Sequence, residues 1–117
     1  MNRDNQEKPY LINFHQTGHE SVGYISVADI EDDVPFLIRR VFWVYKTPEK
    51  VVRGNHANLT NEEVIVAVQG EIHITTIDAT GLKEIFVLNS PNQGLYLPPN
   101  VWLTLGYSDS AVQLVLS

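Results

Sequence analysis

The sequence contains no cysteine. It therefore has no disulfide framework, no thiolate nucleophile and no sulfur ligand for a metal ion. Basic residues are also few, because 8 Lys and Arg stand against 14 Asp and Glu, giving a formal net charge of −6. A nucleic-acid-binding surface normally shows a basic excess, so we expect no nucleic-acid partner. A small anionic ligand needs only two or three placed arginines, and Arg39, Arg40 and Arg53 lie close together in the chain.

Long hydrophobic runs are missing as well. No stretch approaches the ~20 apolar residues that a membrane span requires, and the start MNRDNQEKPY lacks the apolar region of a signal peptide. We therefore expect no membrane segment and a cytoplasmic protein. The 117 residues, 44% of them hydrophobic, suffice for one core without a metal to hold it. We expect residues 1–117 to form a single domain whose polar residues 1–9 are frayed.

Short apolar or alternating runs separated by turn residues predict an all-β protein. The candidate strands are 10–14, 22–27, 37–45, 51–55, 63–69, 72–77, 83–88, 94–97, 101–105 and 111–116. The run 63–68 is almost continuously apolar, which predicts that a second sheet or a partner subunit covers its outer face. A β-sandwich or a jelly-roll barrel is the simplest architecture.

Turn residues punctuate these runs. Residues 69–70 and 78–81 predict hairpin turns, and residues 90–92 and 98–100 predict loops. Residues 28–33 have room for one turn of helix before a proline ends it.

Four histidines are candidates for chemistry. His15 and His19 lie in a polar stretch and are interpreted as exposed loop residues. His73 alternates with two isoleucines and is interpreted as a solvated strand residue. His56 differs, because it follows an arginine and a glycine and precedes a polar loop. On an extended strand, the side chains of His56 and Asn58 point to the same face.

The region after His56 resembles the first motif of the cupin superfamily, G-x5-H-x-H-x3-4-E-x6-G. His56 and Glu63 fit its spacing, but Asn58 takes the place of the second histidine. Further along, the end of the second cupin motif is matched with Leu103 in place of its histidine. A zinc or iron site needs three or four converging donors, so we expect no metal. The resemblance implies a cupin-type double-stranded β-helix, or jelly-roll barrel.

A narrower resemblance covers nearly the whole chain. It rests on residues 12–14, 35–44, 53–57, 68–70 and 94–102. These segments resemble the nucleotide-sugar 3,4-ketoisomerases, the WxcM-like branch of the cupins. The resemblance implies a metal-independent, cofactor-free homodimer. It would move a carbonyl between C4 and C3 of a dTDP-linked 6-deoxyhexulose, in the biosynthesis of sugars for surface glycans.

The same resemblance implies roles for individual residues. His56 is the candidate general base, because a neutral imidazole accepts and returns a proton near neutral pH. Asn58, in the place of the second histidine, is a catalytic candidate that forms hydrogen bonds but cannot shuttle a proton. Aromatic residues would form walls of the ligand pocket. For Trp102, packing in the core is the more frequent interpretation of a large aromatic residue. The candidate substrate-binding residues are Arg53 for the phosphates, Tyr96, Trp102, Trp43 and Glu63.

Departures from the family pattern leave three hypotheses open. Asn58 and Leu103 stand where the family has histidines, and Phe42 stands where it has a tyrosine. These family side chains bind or convert the sugar substrate. The first hypothesis is an active isomerase of a dTDP-4-keto-6-deoxyhexose. The second is a degenerate cupin that binds a nucleotide sugar as a binding or interaction module. The third is a cupin with an unrelated small ligand or a metal.

Overall fold

The computed structural model describes residues 8–117, and in them eleven strands confirm the all-β prediction. Residues 1–7 of the segment 1–9, which is predicted to be frayed, lie outside the described residues. The strands are β1 (Tyr10–Asn13), β2 (His15–His19), β3 (Gly23–Val27), β4 (Val41–Val44), β5 (Arg53–Ala57), β6 (Glu63–Gln69), β7 (Ile72–Ile77), β8 (Lys83–Leu88), β9 (Gln93–Leu97), β10 (Trp102–Tyr107) and β11 (Val112–Leu116).

Two antiparallel sheets face each other and enclose the main core. One has the strand order β1-β9-β6-β11-β4, and the other has the order β5-β10-β7-β8. Side chains from both inner faces form one buried cluster, which includes Ile65, Ile74, Leu95 and Leu105. Neighbours in each sheet are mostly distant in sequence, as in the jelly-roll barrel that the sequence predicts.

Strand β6 is buried on both faces, which explains its nearly continuous apolar sequence. Ile65 and Ala67 face the core between the sheets. Val64 packs on the opposite face in a second cluster with Phe14 and Val34. The chain itself therefore covers both faces, and burial of each large aliphatic side chain contributes roughly 1.5–3 kcal/mol.

Strands β2 and β3 form a hairpin that is separate from both sheets. They pair with each other from His15↔Val27 to His19↔Gly23, and all ten of their residues are exposed. The prediction of a loop for His15 and His19 is therefore wrong, although the predicted exposure of both is confirmed. A hydrogen bond of 2.7 Å from Ser26 Oγ to Asn92 Oδ1 links the hairpin to the loop before β9.

Two further predictions of local structure are wrong. Residues 69–70 do not close a hairpin, because β6 and β7 belong to different sheets. Residues 28–33 form a tight turn, and not the turn of helix for which the sequence has room. The N–H groups of Asp33 and Val34 both donate to the Asp29 carbonyl, and Glu31 has a φ of 78°. That left-handed conformation is incompatible with a right-handed helix.

The predicted hairpin at residues 78–81 is confirmed, and a buried carboxylate holds it. Asp78 Oδ1 accepts hydrogen bonds from Thr80 N–H at 2.9 Å, Thr80 Oγ1 at 2.6 Å and Leu82 N–H at 3.1 Å. The hydrogen bond from the Thr80 side chain is the main cause that lowers the pKa of Asp78. In the described part of the chain, no helix is long and apolar enough to cross a membrane.

Candidate functional site

Strand β5 carries Arg53 and His56, and a β-bulge lies between them. Against β10, His56 pairs with Leu103 and Arg53 pairs with Leu105, so that Asn55 is an extra residue on β5. In an unbroken strand, side chains three positions apart point to opposite faces. The bulge changes this alternation. Both side chains therefore point to the inner face, beside the two buried leucines.

The bulge depends on the backbone freedom of one glycine. Gly54 and Asn55 have φ values of 87° and 58°, both in the left-handed region. A Cβ atom on Gly54 would lie 2.7 Å from the carbonyl oxygen of Leu103. Only glycine fits this close approach, while asparagine is among the residues that tolerate a positive φ best.

A cavity of about 110 Å³ lies between the two sheets at this point. Its polar side chains are Arg53, His56, Glu63, Tyr107 and Gln113, and its other side chains are aliphatic or aromatic. Arg53 and His56 are exposed, Glu63 is half-buried, and the other two polar residues are buried. The imidazole and the guanidinium therefore lie at the open end of the cavity, above a buried polar floor.

Glu63 begins β6 and contributes a carboxyl group to the cavity. Burial raises its pKa, whereas the charges of His56 and Arg40 and a hydrogen bond from the Asn58 side chain oppose this rise. Asn58 follows β5, and its carbonyl accepts a hydrogen bond of 2.7 Å from Asn100 N–H. The residue in the place of a second histidine is thus bonded to Glu63 through its side-chain amide and to the loop before β10 through its backbone.

A hydrogen-bonded group forms the floor of the cavity. The Tyr107 hydroxyl donates to Gln113 Oε1 and interacts with the Arg53 side chain. Burial raises the pKa of Tyr107, and the Arg53 charge and hydrogen bond oppose this rise. Neither Tyr107 nor Gln113 is among the site residues predicted from the sequence. The signal for Tyr107 was present, because it continues the inward alternation of Leu103 and Leu105 along β10.

Two of the aromatic candidates lie outside this cavity. Trp43 is 60% exposed and adjoins Phe42, which lines the cavity, so the two side chains point to opposite faces of β4. Trp102 is 42% exposed and adjoins the inward-facing Leu103 in the same way. Strand alternation therefore places both indole rings on outer surfaces.

Tyr96 also packs away from the cavity. It belongs to the buried cluster on the outer face of the five-stranded sheet, with Val64. Its hydroxyl donates a hydrogen bond to Glu62 Oε1, and its ring centroid lies 4.8 Å from that of Tyr10. Of the candidate residues, the structure thus brings together Arg53, His56 and Glu63, with Asn58 in contact through its hydrogen bond.

The side chains that meet in the cavity can move protons and hold an anion. An imidazole and a carboxyl group are the usual general acids and bases, and a guanidinium binds phosphate in a bidentate manner. Among residues 8–117, no group of three or more His, Cys, Asp or Glu side chains could hold a metal ion.

Comparison with known proteins identifies relatives along nearly the whole chain. The model of the family "FdtA: WxcM-like, C-terminal" matches residues 7–117. The chain is 32% identical over 108 residues to the TDP-4-oxo-6-deoxy-alpha-D-glucose-3,4-oxoisomerase of Aneurinibacillus thermoaerophilus. This match covers 92% of the chain and 76% of the relative.

Solved structures of 3,4-ketoisomerases have the same fold. QdtA from Thermoanaerobacterium thermosaccharolyticum, in complex with TDP, is 28% identical with a TM-score of 0.85, over 92% of this chain and 78% of that one. The 3,4-ketoisomerase of Helicobacter canadensis is also 28% identical, with a TM-score of 0.86 over 94% and 82% of the two chains. The sequence resemblance is therefore confirmed, and the chain belongs to the FdtA family of WxcM-like C-terminal domains.

Proposed function

We propose that this chain is a 3,4-ketoisomerase of a dTDP-linked 4-keto-6-deoxyhexose. The observation that carries the proposal is the bulge in β5, which aims His56 and Arg53 at one cavity. The relatives support it, since they are 3,4-ketoisomerases, and structures of one of them contain TDP. We further propose a cytoplasmic role in sugar biosynthesis for surface glycans, on the basis of the composition and the family resemblance.

The reaction requires two proton movements. A substrate with a hydroxyl on C3 and a ketone on C4 becomes a product with a ketone on C3 and a hydroxyl on C4. One proton must move from C3 to C4 through an enediol, and another must move from O3 to O4. His56 is the proposed carbon base, because an imidazole can remove the C3 proton and return it to C4 at neutral pH.

The size of the cavity indicates how a nucleotide sugar would bind. At about 110 Å³ it is smaller than the roughly 300–1,000 Å³ of pockets that enclose whole ligands. It suits part of the sugar ring, and the nucleotide would lie beyond the open end. Arg53 is exposed there, where its guanidinium can bind the diphosphate.

Proton NMR in D2O with dTDP-4-keto-6-deoxyglucose tests the activity. We expect deuterium incorporation on the sugar and a 3-keto product. Absence of both would refute the proposal. Calorimetry with TDP tests the binding site: Arg53→Gln should weaken binding, whereas Lys83→Gln, which removes a positive charge outside the cavity, should not.

A second candidate function is binding without turnover. Asn58 and Leu103, each in the place of a family histidine, favour it, because neither side chain can transfer a proton. TDP binding without deuterium exchange would support this alternative. In that case Asn58→His, alone or with Leu103→His, should create measurable isomerisation.

We also propose that the chain forms a homodimer through the face that carries the β2–β3 hairpin. An isolated two-stranded hairpin is marginally stable in water, yet this one pairs with neither sheet. A groove of about 420 Å³ separates it from the outer face of the five-stranded sheet, and apolar side chains such as Phe14, Val66 and Leu116 line it. A second copy would cover this apolar surface.

Light scattering after size exclusion tests the dimer. Tyr24 on the hairpin lines the groove and is 54% exposed, whereas Tyr45, which follows β4, lies outside the groove and is 58% exposed, so they form a matched pair. The wild type and Tyr45→Glu should be dimers, whereas Tyr24→Glu should dissociate. A monomeric wild type, or equal behaviour of the two variants, would contradict the proposed interface.

A further inference from the structure

The proposed reaction leaves one proton movement without a protein group. His56 can carry the carbon-bound proton, but the transfer from O3 to O4 needs a second acid and base. Asn58, in the place of a second histidine, cannot titrate near neutral pH. The transfer from O3 to O4 therefore needs another group of the cavity that can both donate and accept a proton.

Glu63 has the position that this role requires. It lines the same cavity as His56, from the facing sheet. The charges of His56 and Arg40 act on its carboxyl group and lower its pKa. The Asn58 amide donates a hydrogen bond to its carboxyl group, so the carboxyl is oriented by the residue that replaces the histidine. A carboxyl group has two oxygens, so one can donate to O4 while the other accepts from O3.

The other polar groups of the cavity are less suited to this relay. Arg53 and Arg40 cannot accept the O3 proton, because a guanidinium group has N–H donors and no acceptor. Tyr107 uses its proton in the hydrogen bond to Gln113, at the buried floor. Its raised pKa also makes it a poor proton donor near neutral pH.

Given the proposed isomerase function, we propose that Glu63 is the second proton-transfer residue and that Asn58 positions it. In the first step, neutral His56 takes the C3 proton, and the electron pair of the C3–H bond forms the C3–C4 double bond. The C4 carbonyl oxygen takes the proton of the Glu63 carboxyl, which gives a neutral enediol. In the second step, the Glu63 carboxylate takes the O3 proton, the C3 ketone forms, and C4 takes the proton from His56. Both side chains end in their starting states.

The burial of Glu63 supports the protonated starting form. Burial is the largest influence on this carboxyl and raises its pKa. The protonated acid is therefore present at a higher pH than on an exposed glutamate. Activity should therefore decline at high pH, as Glu63 loses its proton.

The variant Glu63→Gln tests the inference, with Glu62→Gln as the matched control. Glu62 is the preceding residue, and it bonds to Tyr96 outside the cavity. We expect Glu63→Gln to lower kcat by about 10²–10⁴-fold, the usual contribution of general acid–base catalysis. TDP affinity should be retained, and the alkaline limb of the pH profile should disappear. The control should keep the wild-type kcat and profile.

A rescue variant separates catalysis from a structural effect. Adding Asn58→His to Glu63→Gln places an imidazole where the family has one, and it should recover at least about tenfold in kcat. If circular dichroism shows that Glu63→Gln does not fold, Glu63→Asp replaces it. That variant should lower kcat and keep the alkaline limb.

The outcomes distinguish this inference from the proposed function. An active wild type whose Glu63→Gln variant keeps the same kcat and pH profile overturns the role of Glu63 alone. If Glu63→Gln does not fold, a wild-type kcat in Glu63→Asp overturns the role of Glu63 as well. A wild type without deuterium exchange and without a 3-keto product overturns both proposals.

Discussion

Replacing Gly54 by alanine tests the bulge that aims Arg53 and His56 into the cavity. An L-residue at a φ of 87° costs about 1–2 kcal/mol. The added Cβ would also lie 2.7 Å from the Leu103 carbonyl oxygen, which forces β5 and β10 apart. Overpacking of this kind costs roughly 1–3 kcal/mol. We therefore expect Gly54→Ala to lose roughly 2–5 kcal/mol of unfolding free energy, and TDP affinity with it.

Gly81 provides the control, because it has the same backbone conformation without the contact. Its φ is 89°, and a Cβ atom there would meet nothing within 4 Å. Gly81→Ala should therefore lose only the conformational part, about 1–2 kcal/mol, and keep TDP affinity. Urea unfolding at a fixed protein concentration and calorimetry with TDP measure both quantities. Equal destabilisation of the two variants, with TDP binding intact in both, would refute the role of the bulge.

Three further predictions concern polar groups that are buried or half-buried. Because burial raises the pKa of Glu63, its contribution to stability is present below the ordinary value of 4.5 and is lost as the pH rises through the raised pKa. Glu63→Gln should therefore gain stability relative to the wild type across that window, and a constant difference in urea unfolding would contradict this. Asp78→Ala should lose about 1–3 kcal/mol at neutral pH. That loss should shrink as the pH falls through the lowered pKa of Asp78. A loss that does not depend on pH would show that the ionised carboxylate is not what stabilises the turn. Tyr107→Phe leaves the buried Gln113 Oε1 without its donor and should cost about 1–3 kcal/mol in the same assay, whereas an unchanged midpoint would show that the bond is not stabilising.

Much of the fold is encoded in local patterns. The bounds of β6, β7 and β8 agree with the sequence prediction to the residue, because apolar runs or alternation end at clear turn residues there. Strand β2 was missed, since all five of its residues are exposed and leave no alternation to detect. The turn at residues 69–70 was recognisable, but the sheet that each flanking strand joins depends on pairing with distant strands.

The candidate site was only partly predictable. His56 and Asn58 were identified from motif spacing, whereas the common face of Arg53 and His56 depends on a bulge that a period of two does not reveal. The outward direction of Trp102 was in principle readable, because it adjoins the leucines that alternate inward along β10. The charge interaction between Glu63 on β6 and Arg40, which precedes β4, joins segments that are distant in sequence, and no local pattern predicts it.

The catalytic role of His56 can be measured as the rate of deuterium incorporation at C3 of dTDP-4-keto-6-deoxyglucose. The wild type should catalyse the exchange, and His56→Gln should slow it by about 10²–10⁴-fold while TDP binding is retained. His73→Gln is the matched control, since His73 is an exposed strand residue outside the cavity. Exchange in His56→Gln at the wild-type rate would contradict the account.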